Sequence, residues 1–327
     1  MPPPVLSLIV PTRGRPHLLQ RFLDSLGRTT ANPASIEIIL VIDEDDRATP
    51  AIGHPRLVIR RVVGRAGRTM GELNTAGFQA SQGTFVMLLN DDVIVRTRSW
   101  DREVLRAAAR FPDQIVLVHV NDGLMRDHMC TFPLLSQRFC ELVGGICPPM
   151  YHRYRIDDHI EDLFNMLAAL GHQRTVYLPD VLFEHDNAVV DAANQRTYEP
   201  DPVILPFDAQ LFTSLAGQRK SQVLRLIEIL ERANDPQRQQ ALAHKLTGLN
   251  DPFALRTPNR QLRIRSAWWK RQPGFWENGR EASRRFKNCY TRGGSRGLIR
   301  AIVRRLRGLF TGRPAINDSP TTIPSSP

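Results

Sequence analysis

Short apolar runs alternate with helix-like segments along the first part of the chain. Several runs are apolar throughout, which is typical of strands covered on both faces, and they predict strands at residues 5–10, 36–42, 57–63, 84–89, 115–120, 176–178 and 181–183. Apolar side chains at helical spacing predict helices at residues 17–26, 71–80, 100–110, 157–170 and 222–243. Gly83 is expected to close the second of these helices as the C′ residue beyond its end. The alternation predicts an α/β fold with a mostly parallel central sheet and helices on both faces.

Polar side chains follow three of the predicted strands directly. Thr12 and Arg13 follow the first strand, an acidic turn at residues 43–46 follows the second, and residues 90–92 follow the strand at 84–89. Ligands of open α/β sheets bind at the carboxyl ends of the strands. The sequence therefore predicts a site for a polar ligand at this edge, with residues 44–46 forming a solvated acidic turn.

The triplet Asn90-Asp91-Asp92 is the strongest chemical feature of the chain. Adjacent carboxylates at a strand end can hold a hard divalent cation, and such a cation can bridge two phosphates of a nucleotide. The alternative is a turn or a helix N-cap, because Asn and Asp favour both.

The composition narrows the class of protein. Hydrophobic residues make up 42% and charged residues 24% of the 327 positions, which supports a real core and excludes collagen-like, purely coiled-coil and wholly disordered chains. The four cysteines form no CxxC pair, which argues against a disulfide framework and a structural zinc site. No apolar run approaches the about 18 residues of a membrane span, and the first residues lack the features of a secretory signal. We therefore expect a cytoplasmic protein.

Charge is distributed very unevenly along the chain. Residues 1–216 hold 21 Lys and Arg against 26 Asp and Glu, a net charge of −5, whereas residues 217–327 hold 23 against 7, a net charge of +16. Such a basic segment seeks an anionic surface. We expect a catalytic body at 1–215, a helical, basic and aromatic-rich extension at 216–312, and a tail at 313–327 that is disordered by composition.

Residues 297–310 predict a strongly amphipathic basic helix, with apolar side chains on one face and arginines on the other. Helices of this kind lie in anionic membrane interfaces. Two alternatives are open: the apolar face docks on the catalytic body or a second subunit, or the basic and aromatic residues bind nucleic acid.

Four segments together resemble family 2-type glycosyltransferases of the GT-A fold. They are LSLIVPTRGRPHLLQRFLDSL, IEIILVIDEDD, GRTMGELNTAGFQASQGTFVMLLNDDVIV and GHQRTVYLPDVLFEH, in this order, within residues 5–187. The third is the most specific, since it is similar to the family's Arg…Asn…Ala…Gly…DXD stretch. The resemblance implies a GT-A fold, which is Rossmann-like, followed here by the basic helical extension.

The resemblance also implies how a nucleotide-sugar donor is held. Pro11, Thr12 and Arg13 would line the nucleotide pocket after the first strand. Asp43 would accept a hydrogen bond from a uracil or guanine N–H, and Arg68 would lie over the base or the diphosphate. The donor would accordingly be UDP- or GDP-linked.

The triplet would correspond to the family's DXD motif, with Asn90 in place of its first acid. Asp91 would lie near the ribose or phosphate, Asp92 would bind Mg²⁺ or Mn²⁺, and His185 would add a contact to the metal or the diphosphate. Asn at the first position leaves the metal with less negative charge.

A carboxylate in the acidic stretch 157–162 would act as general base in the family's inverting members. Counting back from Gly171 places the family's Asp-Leu pair on Asp162-Leu163, whereas the doublet that resembles the family's acidic pair could instead be Asp157-Asp158. We favour Asp158 as the base, with Asp162 second. The structural alternative is that these acids only favour the start of a helix.

The combined expectation is a metal-dependent, inverting glycosyltransferase that transfers a sugar to a glycan or lipid-linked acceptor at the inner face of the membrane. A DNA-modifying or nucleic-acid-binding protein and a catalytically inactive GT-A-like scaffold are the alternatives.

Overall fold

The computed structural model describes residues 3–185, 201–231, 236–248 and 262–263. Its strands are β1 Leu6–Thr12, β2 Ile36–Asp43, β3 Val58–Gly64, β4 Phe85–Leu88, β5 Val93–Val95, β6 Leu117–Asn121, β7 Leu134–Ser136, β8 Thr175–His185 and β9 Leu262–Arg263. Its helices are α1 Pro16–Thr29, α2 Met70–Ala80, α3 Trp100–Ala108, α4 Gln137–Val143, α5 Ile156–Ala169, α6 Ile204–Ser214, α7 Ala216–Glu231 and α8 Pro236–Thr247.

The strands form one mixed sheet with the order β3-β2-β1-β4-β7-β6-β8-β5, and β9 lies beside β8. The pairs β1–β2, β1–β4, β2–β3, β6–β8 and β8–β9 are parallel, whereas β7 runs antiparallel to β4 and β6, and β5 runs antiparallel to β8. The prediction of a mostly parallel α/β sheet is confirmed.

Three details of the sheet differ from the sequence prediction. Strands β5 and β7 have only three residues each, too few to show a hydrophobic pattern. The two short strands predicted at 176–178 and 181–183 form one strand, β8. Its register shifts where Val120 faces Leu178 and Asn121 faces Leu182, and this shift carries the strand past Pro179.

Helices cover both faces of the sheet, as predicted. On one face, α1 and α3 pack Phe22 and Trp100 into a continuous apolar cluster with the strands. On the other face, α2, α4, α5, α7 and α8 contribute to a second cluster, which includes Phe139, Phe164 and Leu226. Alternate residues of the strands contribute to the two clusters, so the sheet is buried on both faces.

Of the described residues after β8, most lie in the helices α6, α7 and α8. The described part of the stretch predicted as a helix at 222–243 belongs to α7, Ala216–Glu231, and α8, which begins at Pro236. Proline suits the first turn of a helix, where its missing N–H costs no hydrogen bond. The boundary expected at residue 215 falls between α6 and α7, and both helices belong to one compact unit, Met1–Ser266. The predicted amphipathic helix at 297–310 and the tail at 313–327 lie outside the described residues.

Gly83 does not end α2 as the sequence suggested. The helix ends at Ala80, and Ser81 after it is already extended, with φ −72° and ψ 146°. A Cβ atom at Gly83 would lie 2.7 Å from the backbone nitrogen of Ser7, so a glycine is required by close packing on β1. Among the described helices, none has both the length and the hydropathy needed to cross a bilayer.

Candidate active site

The turn after β1 is joined to the acidic triplet after β4 by a buried hydrogen bond. Thr12 Oγ1 donates to Asp91 Oδ2 at 2.7 Å, and the Asp91 side chain is fully buried. The Arg15 guanidinium forms an ion pair with Asp91 Oδ1. Burial raises the pKa of Asp91 to about 6, although the charge of Arg15 and the Thr12 hydroxyl act in the opposite direction. Asp91 therefore has a structural role, because it joins the triplet after β4 to the turn after β1.

The next carboxylate, Asp92, meets the end of β8. His185 Nε2 lies 3.3 Å from Asp92 Oδ1 and 3.2 Å from Asn90 Nδ2. The His185 backbone N–H donates to the Asp122 carbonyl at 3.1 Å, and its ring meets the Phe132 ring edge-on with centroids 5.3 Å apart. These contacts hold the imidazole beside the carboxylate.

A second polar group lies where β2 ends. Asp43 Oδ2 accepts from Arg13 Nη1 at 2.8 Å, and Asp43 Oδ1 lies 3.4 Å from Arg68 Nη2. The same Arg68 nitrogen donates to the Ile42 carbonyl at 2.8 Å, and the Arg68 side chain is only 9% exposed. Each carboxylate oxygen has two lone pairs, so Asp43 keeps acceptor capacity for a ligand.

Adjacent residues of one turn connect the two groups, because Thr12 binds Asp91 and Arg13 binds Asp43. The structure thus brings most of the predicted donor-site residues to one edge of the sheet: Thr12, Arg13, Asp43, Arg68, Asn90, Asp91, Asp92 and His185. Pro11 lies inside β1, buried and opposite Val41 of β2.

The acidic turn after β2 is only partly solvated. Glu44 and Asp45 are exposed as predicted, but the prediction is wrong for Asp46, which is 8% exposed. Asp46 accepts hydrogen bonds from the Gly14 and Thr49 backbone N–H groups and from the Thr49 hydroxyl. Burial acts to raise the pKa of Asp46, but these hydrogen bonds outweigh it and lower the pKa. The residue ties the turn after β1 to the turn after β2.

The acids of α5 occupy two different environments. Asp158, in the first turn, accepts from Arg155 Nη1 at 3.0 Å. Asp162, one turn later, accepts from Arg219 Nε of α7 at 2.6 Å, and Arg219 is 1% exposed. Asp162 therefore holds two helices together, whereas Asp158 lies at the end of α5 that follows the 151–155 loop.

Two residues of the site escaped the sequence prediction. Arg15 contacts both acids of the triplet, with Nη1 3.7 Å from Asp92 Oδ2. Asp122, just after β6, accepts the Leu124 and Arg126 backbone N–H groups and orders the loop beside His185. The sequence held one signal for each: Arg15 lies in the same turn as Thr12, and Asp122 follows a strand of the parallel sheet.

A carboxylate and an imidazole at the triplet are the candidate ligands of a divalent cation. No group of three or more His, Cys, Asp or Glu side chains gathers in metal-binding geometry within the described residues. Asp92 Oδ1 and His185 Nε2, at 3.3 Å, are nevertheless spaced as two ligands of one ion can be. Mg²⁺ is usually held by one or two carboxylates together with substrate phosphates and water, so a two-residue protein set fits it.

Several solved structures are similar to this chain at low identity. The mannosyltransferase PcManGT of Pyrobaculum calidifontis, solved with GDP-Man and Mn²⁺, is 14% identical, with 94% of this chain and 81% of that chain covered and a TM-score of 0.45. TarS of S. aureus is 15% identical, with 69% and 43% covered and a TM-score of 0.45. Such values carry no information on substrate. No curated protein matches the chain significantly.

The family comparison is more direct. Residues 7–129 match the family model described as "Glycosyl transferase family 2". The matched segment is somewhat over a third of the chain, and it contains every donor-site residue described above except His185. Residues 7–129 are therefore similar to the family 2 glycosyltransferase domain, and this match supports a nucleotide-sugar-dependent glycosyltransferase.

Proposed function

We propose that the protein transfers a sugar from a UDP- or GDP-linked donor to an acceptor hydroxyl, with inversion at the anomeric carbon and with the assistance of a divalent cation. The observation that carries this proposal is the continuous set of contacts from Arg68 through Asp43 and the β1 turn to Asp92 and His185. These contacts provide a position for the nucleotide base at Asp43 and a position for the diphosphate at Asp92 and His185, both at one edge of the sheet.

The donor base lies at the Asp43 end in this proposal. The Asp43 carboxylate accepts a base N–H while Arg13 and Arg68 hold it in place. Arg68 donates to the carbonyl of Ile42 and not to the triplet, which supports a role at the base and not at the diphosphate. Both uracil and guanine present a suitable N–H, so Asp43 is compatible with either a UDP-linked or a GDP-linked donor, and the nucleotide is to be determined by binding experiments.

The diphosphate lies at the other end, beside Asp92 and His185. These two residues would hold Mg²⁺ or Mn²⁺, and Asn90 is within reach of the same position. When bound, the cation supplies positive charge that stabilises the departing nucleoside diphosphate. Arg15, 25% exposed in its side chain and paired with both acids, adds positive charge to the same end.

Asp158 is the proposed general base. It removes the proton of the acceptor hydroxyl as the hydroxyl oxygen attacks the anomeric carbon, and the bond to the nucleoside diphosphate breaks on the opposite face. Both carboxylates bind a guanidinium, but the partner of Asp162, Arg219, is only 1% exposed, whereas the partner of Asp158, Arg155, is 18% exposed. This difference supports Asp158 over Asp162, because the more deeply buried pair is the harder one to open.

The acceptor is a glycan or a lipid-linked glycan in this proposal. The net charge of +16 over residues 217–327 supports attachment to the inner face of an anionic membrane, where the segment 297–310 would lie in the interface. Steep salt-dependent binding of the full chain to DNA but not to anionic vesicles would instead favour the nucleic-acid alternative.

The first test is the thermal stability of the full chain with UDP or GDP, each with and without Mn²⁺. A ligand that binds the native state raises the melting temperature. We expect a metal-dependent rise with one nucleotide, its loss in Asp92→Ala, and its retention in Glu141→Gln, a matched change of an exposed carboxylate on α4. No rise with either nucleotide in folded protein contradicts the proposal and favours an inactive scaffold.

The role of Asp158 needs a second readout. We expect Asp158→Asn to keep the nucleotide-induced rise in melting temperature and to lose turnover by about 10²-fold or more. Asp162→Asn serves as the comparison, and we expect folded Asp162→Asn protein to keep its kcat. The reverse pattern would assign the base to Asp162.

A further inference from the structure

A row of exposed arginines runs along α3 and its two flanks. Arg98, Arg102, Arg106 and Arg110 follow one another at intervals of four residues, and all are exposed. Arg102 and Arg106 lie within α3, and positions four apart share one side of a helix. Arg98 precedes the N-cap Ser99, whose backbone is left-handed, and Arg110 follows the C-cap Ala109. At about 1.5 Å per residue, α3 itself spans roughly 12 Å. We call these four residues the arginine row.

The arginine row is poorly neutralised. Arg106 pairs with Glu103, but within the described residues the guanidinium groups of Arg98, Arg102 and Arg110 have no hydrogen bond or ion pair. The nearby Asp101 is buried and accepts the backbone N–H groups of Ala31 and Asn32, so it does not offset the exposed charge. Like charges four apart weaken a helix, and residues 1–216 are otherwise acidic.

The arginine row also leads away from the proposed active site. Strand β5 starts directly after Asp92, and Arg96, next after β5, pairs with Glu184 beside His185. Four extended residues from Asp92 to Arg96 cover about 13 Å. The segment from Asp92 to Arg96 and helix α3 together measure roughly 25 Å along the chain, the length of several units of a polymer.

The surface around the arginine row argues against two other partners, a lipid bilayer and single-stranded nucleic acid. Its aromatic residue Trp100 is fully buried, and the large apolar side chains that the described residues expose lie elsewhere: Val5, Val58, Val63, Met150, Val203 and Phe207. Nothing on α3 can insert into a bilayer as an interfacial helix does. Nothing on it can stack on bases, as single-stranded nucleic acid binding requires.

We infer that the arginine row binds an anionic polymer that carries repeated phosphate or carboxylate groups, and that this polymer is the acceptor whose growing or modified end reaches the sheet edge. This inference rests on the proposed function, because it names the acceptor class of that site. The guanidinium groups contact successive anionic groups as phosphate-binding arginines do.

The test compares two triple variants of the full chain with equal change of charge. Arg98→Glu/Arg102→Glu/Arg110→Glu reverses the three unpaired members of the row. Arg138→Glu/Arg225→Glu/Lys245→Glu reverses three exposed cations on α4, α7 and α8. Two of the control cations lie in the basic segment 217–327, which also attracts polyanions, so a loss confined to the row variant assigns the binding to the row. Long-chain inorganic polyphosphate is the probe, and binding is measured by fluorescence anisotropy over a range of salt concentrations.

We expect the row variant to bind polyphosphate about 10-fold more weakly, and the slope of log K against log [salt] to fall by about 2. We expect the control variant to change affinity by less than about 3-fold, since its cations do not form a row. Equal losses in both variants would overturn the inference, because they would reflect net charge alone.

Two further measurements distinguish a polyanionic acceptor from a membrane or nucleic-acid surface and from damage to the fold. A loss of binding to phosphatidylglycerol vesicles or duplex DNA, with polyphosphate binding unchanged, would overturn the inference in favour of a membrane or nucleic-acid surface. The nucleotide-induced rise in melting temperature must persist in the row variant. Its absence in the wild type would refute the proposed function while leaving the polymer measurement valid.

Discussion

The buried ion pair between α5 and α7 provides a stringent test of the assignment of the α5 acids. Arg219 Nε donates to Asp162 Oδ2 at 2.6 Å, Arg219 Nη1 donates to the Phe212 carbonyl at 2.7 Å, and the guanidinium lies 3.9 Å from the centre of the Phe212 ring. Both charged side chains are almost fully buried. Replacing Arg219 with Met keeps most of the apolar volume but removes the charge and both hydrogen bonds.

The expected cost follows from what is left behind. Removing one partner of a buried ion pair leaves an uncompensated charge, which costs about 3–5 kcal/mol. The lost hydrogen bond to the Phe212 carbonyl adds about 1 kcal/mol. Adding Asp162→Asn to Arg219→Met removes the buried carboxylate charge, so we expect the double variant to recover about 2 kcal/mol of the loss.

Urea unfolding followed by far-UV circular dichroism measures these free energies for the wild type, the two single variants and the double variant. The kcat of folded Asp162→Asn protein completes the set. A cost below about 1 kcal/mol for Arg219→Met, or a double variant no more stable than Arg219→Met, would refute the reasoning from buried charge. Loss of kcat in folded Asp162→Asn protein would refute the structural assignment of Asp162.

Three other perturbations have expected outcomes. Burial, with the charge of Arg219, lowers the pKa of His159 to about 3 from 6.5. Between these values the unfolded state binds one proton more than the folded state, so the free energy of unfolding falls with decreasing pH by up to about 1.4 kcal/mol per pH unit. We expect the free energy of unfolding of His159→Asn, measured between pH 4 and 7, to lack this slope. Gly77→Ala places a Cβ 2.4 Å from Ile9 Cγ2 and costs about 1–3 kcal/mol in urea unfolding. Burial raises the pKa of Cys147 to about 12, so iodoacetamide at about pH 8 labels it far more slowly before than after denaturation, as peptide mapping by mass spectrometry measures.

Much of the sheet could be predicted from the sequence because its central strands are buried on both faces. The runs that became β1, β2 and β4 are apolar at nearly every position, with Ser7 and Glu37 as polar residues inside the first two, and this pattern is typical of strands in a parallel sheet. Strands β5 and β7 could not be predicted, since three residues hold no period and their position is fixed by pairing with β8 and β4. Tertiary contacts decide such elements.

The site divides in a similar way. The residues that follow strands, such as Asp43 and Asp92, could be placed at one edge by topology alone. The partners of the buried carboxylates could not, because Arg15, which pairs with Asp91, and Gly14, which donates to Asp46, lie in a turn whose geometry depends on neighbouring segments. The same limit applies to Asp162, where only the packing of α7 reveals Arg219 as its partner.

The contacts of the proposed active site join distant parts of the chain: Arg13 and Asp43 are 30 residues apart, Thr12 and Asp91 are 79 apart, and Asn90 and His185 are 95 apart. Loop-closure entropy must be overcome before any of these contacts forms. During synthesis, the N-terminal 184 residues cannot complete the site, because His185 has not yet been added. During refolding, nucleotide binding should return only after β8 has joined the sheet, later than the recovery of helical signal. If the proposed site is correct, we expect no catalysis by partly folded chains, and we expect the recovery of nucleotide binding to coincide with closure of the sheet.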